Sequence, residues 1–61
     1  MYIEITKEAF RALVPVDMPN IEVKNEELAR RIYYYSHGVK LQSVENFLSF
    51  TTQYYIQDIN A

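Results

Sequence analysis

The 61-residue chain predicts a small single α+β domain, residues 1–61, of element order β-α-α-β-β, in which a three-stranded antiparallel sheet carries two helices on one face. Three observations lead there. The opening MYIEIT alternates apolar and polar residues with the period of a half-buried strand. Residues 25 to 38 begin with helix-capping chemistry and close on the chain's one glycine. Near the C-terminus, FTTQYYI consists almost entirely of β-branched and aromatic residues, which suit a pleated surface.

In the first strand, Met1, Ile3 and Ile5 share one side and Tyr2, Glu4 and Thr6 the other. Thr6 is then placed to cap a helix, with Ile5 before it and Phe10 after it as a hydrophobic staple. Phe10, Leu13 and Val14 fall on one helical stripe, and Pro15 and Pro19 end the helix because residues before proline avoid the helical region. VPVDMPNIEVK follows as an irregular or extended connector.

Asn25 caps the second predicted helix, with Glu26 and Glu27 at its positive end. Glu26 pairs with Arg30 and Glu27 with Arg31 at i,i+4 spacing, and Gly38 terminates the helix in a left-handed conformation. At helical periodicity Leu28, Ile32 and Tyr35 form the buried stripe, while Tyr33 and Tyr34 point to the flanks and outer side, near Arg30 and His37. The last third reads as a hairpin, Lys40 to Leu48 and Thr52 to Ile59 around Ser49-Phe50-Thr51. A helix from Ser43 competes with it, because Val44, Phe47, Leu48, Thr51, Tyr55 and Ile59 also line up at 3.6-residue spacing. The turn lacks the Asn-Gly or Asp-Gly of a tight hairpin, whereas residue propensity favours strands.

LARRIYYYSHGVKLQSVENFL also resembles a helix-turn-helix, with Gly38-Val39 in the turn and Val44 and Phe47 as core positions of the second helix. This resemblance implies an alternative, mostly α fold with a DNA-binding C-terminal half, and makes Lys40, Gln42, Ser43 and Asn46 the base- or phosphate-facing residues. Tyr34 is bulky where that motif usually carries a small residue, and Lys40 is offset by Glu45.

Composition excludes several function classes. With 49% hydrophobic and 23% charged residues the chain is globular. The absence of cysteine rules out disulfides and thiolate metal sites, and a single histidine rules out a multi-histidine zinc site. One glycine is too few for a phosphate-cradling loop. Ser36 adjoins His37, but neighbours on a helix do not face each other, so nucleophilic catalysis is not expected. Nothing brings any two of Asp17, Glu22, Glu45 and Asp58 together. No cofactor, metal or catalytic residue is predicted, and the expectation is a non-enzymatic protein. Apolar runs are too short to span a membrane, and the N-terminus has no signal-peptide pattern, from which a cytoplasmic location is expected.

What remains is an abundance of tyrosine. A chain this short buries only about 60% of its unfolded surface, and association is the remaining way to add burial. Val16, Met18 and Ile21 in the connector have the apolar surface to cover one of Tyr33 and Tyr34. Tyrosine and arginine are favoured at contact centres. Arg30, Tyr33, Tyr34 and His37 on the helix, together with Tyr2, Tyr54 and Tyr55 on the sheet, are therefore the candidate partner-binding residues. The expected role is a regulatory, modulator or accessory module that binds a protein partner or its own copies as a homo-oligomer. The alternative is nucleic-acid binding, through the helix-turn-helix or by stacking single-stranded bases on Tyr2, Tyr54 and Tyr55. A net charge of −2 disfavours it.

Overall fold

The computed structural model describes residues 1–58. Its elements in chain order are β1 (Tyr2–Ile5), α1 (Lys7–Leu13), β2 (Glu22–Asn25), β3 (Ala29–Ser36), β4 (Val39–Asn46) and β5 (Thr51–Gln57). The strands form one antiparallel sheet in the order β1-β5-β4-β3-β2, so that the first strand pairs with the last and β2 is left at the opposite edge. The molecule is therefore mostly β. This corrects both the three-stranded, two-helix sandwich and the helix-turn-helix alternative.

The correction turns on residues 25 to 46. Arg31 pairs with Glu26 rather than with Glu27, at 3.1 Å across the turn between β2 and β3. Arg30 reaches Glu45 on β4, at 2.6 Å, instead of Glu26. RIYYYS is rich in residues that favour strands, and two-residue alternation sorts it cleanly. Ile32, Tyr34 and Ser36 face one side; Arg31, Tyr33 and Tyr35 face the other. Tyr35, expected in the core on a helical reading, is 59% exposed.

Gly38 is not a helix cap. His37 and Gly38 both have positive φ, 53° and 78°, and they join the paired residues Ser36 and Val39. That is the requirement of a two-residue type I′ hairpin turn. The C-terminal hairpin is present as β4 and β5, joined by residues 47–50 rather than 49–51. Ile59, the expected end of its second strand, lies outside the described residues.

At the N-terminus the strand and the capped helix are present as expected, but Met1 and Ile3, expected on the strand's apolar side, are 81% and 46% exposed and only Ile5 packs on the core. Thr6 Oγ1 accepts from the Ala9 N–H at 3.1 Å and caps α1. α1 packs on β5, and Phe10 and Val14 are fully buried with Leu41 of β4. Ile5, Leu13, Met18, Tyr34, Tyr54 and Ile56 close around them. Phe10 is the hub: the Tyr54 ring lies 4.7 Å from it, and Tyr34 meets it edge-on at 5.7 Å. Of the three apolar connector residues only Met18 packs here, while Val16 and Ile21 are exposed.

Candidate functional site

The register places one row of side chains across all five strands on the face turned away from α1: Glu4, Tyr55, Gln42, Tyr33 and Glu22. Tyr2 and Tyr35 flank this row, with Lys24, Arg31 and Lys40 on the same face. Three strand spacings, roughly 14 Å, separate β1 from β3. Yet the Tyr2 and Tyr33 rings are only 6.3 Å apart. The sheet is curled, and its own long side chains arch over the middle of this face. As a result Gln42 and Val44 are only 5% and 4% exposed although no helix covers them. Gln42 Oε1 is buried there with no hydrogen-bond partner among the described residues.

The ammonium groups of Lys24 and Lys40 lie over the Tyr33 ring, at 5.6 and 5.7 Å from its centroid. Tyr2 lies beside it, and burial raises its phenol pKa above the ordinary value, with Tyr33 and the Glu22 carboxylate adding to the effect. Of the seven candidate residues read from sequence, Tyr2, Tyr33 and Tyr55 are thus brought to one face. Tyr34 and Tyr54 belong to the core on the other face. Arg30 lies on that other face too, in its ion pair with Glu45. His37 occupies the β3–β4 turn. The predicted helix patch of Arg30, Tyr33, Tyr34 and His37 does not exist, because strand alternation splits it between faces.

Ser36 and His37 do approach each other, unlike neighbours on a helix: Ser36 Oγ is 2.8 Å from His37 Nδ1. The hydroxyl's one proton goes to the Leu13 carbonyl, at 2.6 Å, so His37 Nδ1–H must be the donor to Oγ. The pair therefore ties the hairpin turn to the end of α1. A shallow depression between β1 and β5 is lined by Glu4, Thr6, Lys7 and Thr52, all exposed. No group of three or more metal-ligating side chains is found among the described residues.

A second surface was not anticipated from the sequence. The β2–β3 and β4–β5 turns are joined where the Phe47 N–H donates to the Leu28 carbonyl at 3.0 Å. Between them they expose Leu28, Phe47, Leu48 and Phe50. Leu48 is 76% and Phe50 92% exposed. Phe50 also holds φ at +55°, a conformation that costs a residue with a side chain about 1–2 kcal/mol. The loop is braced from below, since Asn46 Nδ2 donates to the Thr51 carbonyl at 3.2 Å and to Gln53 Oε1 at 3.3 Å. Ser49 and Thr51 hydroxyls meet at 2.6 Å. A rigid tip therefore presents large apolar side chains to solvent. The sequence signal was FLSF itself, an apolar quartet where a hairpin needs its turn.

No family model, curated protein or solved structure matches this chain.

Proposed function

We propose that this protein is a small non-enzymatic protein-binding module whose contact surface is the apolar tip formed by Leu28, Phe47, Leu48 and Phe50. The observation that carries the reading is Phe50: an aromatic ring almost wholly in water, on a backbone conformation that a glycine would adopt at less cost. Scattered exposed apolar residues need no explanation, but a cluster held on one braced turn marks an interaction surface. Glu26 and Glu27 adjoin the tip in the β2–β3 turn. Glu26 is paired with Arg31, and the Glu27 carboxylate disfavours an anionic membrane as the partner and favours a protein pocket with an apolar floor and a cationic rim. No helix among the described residues is long and apolar enough to cross a membrane.

The test uses the variant Leu48→Ser/Phe50→Gly. Glycine at position 50 relieves the positive φ, so the variant is expected to be as stable as the parent or about 1 kcal/mol more stable. At the same time, capture of partner proteins from host lysate, read by quantitative mass spectrometry, is expected to fall at least tenfold. Unchanged capture by a folded variant refutes the tip as the contact surface.

A second reading has one observation in its favour. Lys24, Arg31 and Lys40 join Tyr2, Tyr33, Tyr35 and Tyr55 on one sheet face, the chemistry that stacks and neutralises a single nucleic-acid strand. Against it, both lysines are already engaged with Tyr33, and Glu4 and Glu22 bound the face on either side. Binding of an oligonucleotide at low salt that weakens steeply as salt rises is the signature of this reading.

A further inference from the structure

β2 is an edge strand whose four residues are all exposed. The direction of its free backbone groups follows from the ladder. The Glu26 N–H donates to the Ala29 carbonyl at 2.8 Å, and bonded and non-bonded pairs alternate along antiparallel strands. Glu22 and Lys24, paired with Tyr33 and Arg31, therefore direct their N–H and C=O groups into the sheet. Val23 and Asn25 direct theirs outward, where no strand among the described residues receives them.

We propose that β2 is a self-association edge: two copies pair β2 with β2 antiparallel about a two-fold axis at Val23, joining two five-stranded sheets into one. The strand selects both the register and the partner. A two-fold centred on Glu22 or Lys24 is disfavoured because it sets Glu22 against Glu22 or Lys24 against Lys24, like charges directly opposite each other. Centring on Val23 sets the outward groups of Val23 against those of the second copy, and the Asn25 N–H against the Ile21 carbonyl. In that register Glu22 of one copy lies opposite Lys24 of the other, twice over. These are the non-hydrogen-bonded pairs, in which facing side chains come closest. The edge is complementary to itself in hydrogen bonding and in charge, the requirement of an isologous dimer.

A lysine on an edge strand commonly blocks such pairing. Here Lys24 is drawn over the sheet face, with its ammonium 5.6 Å from the Tyr33 centroid, which leaves the edge clear. On the opposite face Val23 pairs with Ile32, and the exposed Val23 and Ile21 gain cover from the second copy. The contact is small, so the dimer is expected at high rather than low protein concentration.

Sedimentation equilibrium on the full chain, from micromolar to millimolar, tests this. The wild type is expected to rise from the mass of one chain to that of two. Val23→Pro removes the central N–H donor at a position where the monomer does not use it, and is expected to remain folded by circular dichroism and monomeric. Glu22→Lys and Lys24→Glu each set like charges opposite each other and are expected to weaken association roughly tenfold. Mixing these two variants restores opposite charges, so the mixture is expected to associate where neither does alone. Leu48→Ser/Phe50→Gly leaves this association unchanged, which separates it from the tip. A wild type that remains one chain throughout overturns the proposal. So does a dimer whose mass is indifferent to Val23→Pro, or charge variants that associate no better mixed than apart.

Discussion

Tyr2 lies half-buried on β1, and its raised pKa has a consequence at alkaline pH. Burial is the first cause, followed by the Tyr33 phenol and the Glu22 carboxylate, and all three disfavour tyrosinate in the folded chain relative to an ordinary tyrosine. The neutral phenol therefore contributes stability that is intact below the ordinary tyrosine pKa and is lost as pH rises through the raised folded value. In an ultraviolet titration of the phenols, one component is expected above the ordinary tyrosine range, and Tyr2→Phe is expected to remove it. Glu22→Gln should leave most of the shift in place, because burial comes first. At this scale the sequence was readable where chemistry is local. The Thr6 cap and the positive φ of Gly38 follow from residue type alone. That His37 shares the left-handed conformation does not, and it is this second positive φ that turns a helix end into a hairpin turn.

Among the elements, β3 shows how two valid periodicities compete for one segment. Leu28, Ile32 and Tyr35 form a helical stripe, and Ile32, Tyr34 and Ser36 form a strand face. Capping residues and charge spacing supported the helix, each worth a few tenths to about 1 kcal/mol. The strand wins because β3 pairs along its whole length with β4 and gains further pairing from β2, none of which is visible in local spacing. The two assignments predict opposite effects for adjacent tyrosines. Tyr34, packed against Phe10, is expected to cost about 3 kcal/mol or more on replacement by serine. Tyr35→Ser is expected to change stability by no more than about 0.5 kcal/mol. Denaturant titration of the two single variants reads the difference, and a reversed order contradicts the strand assignment. β2 is weakly marked in sequence: Ile21–Lys24 alternates apolar and polar residues, but only over four positions and after two prolines, and Glu22–Asn25 becomes a strand because β3 offers it an edge.

Taken whole, the molecule rests on few buried side chains. Phe10, Val14 and Leu41 form the fully buried cluster, and α1 lies toward the β5 side of the sheet, reaching β3 through Tyr34 and Ser36 and leaving β2 exposed. A domain of this size has roughly 3–9 kcal/mol of stability. Phe10→Ala removes the ring that meets both Tyr34 and Tyr54 and is expected to cost about 3–5 kcal/mol. The variant is expected to lose about a third or more of the parent's stability in denaturant titration, and retention of a cooperative transition near the parent's midpoint would contradict Phe10 as the hub. The surfaces proposed for association fit the same economy: a curled sheet shields its tyrosine face with its own rings and lysines, and leaves the turns and the β2 edge outward.

By itself the sequence determined what depends on residue type and short-range order: the starting strand, its capped helix with Phe10 and Val14 turned inward, the strand character of FTTQYYI, and the want of cysteine, histidine and glycine for metal or phosphate chemistry. Only the tertiary structure decided that residues 29 to 46 are a hairpin, that Tyr33 and Tyr34 lie on opposite faces, and that Leu28 joins Phe47, Leu48 and Phe50 at one tip. The reason is that strand pairing and surface clustering join residues distant in the chain, and their energies reside in contacts that no local window of sequence contains.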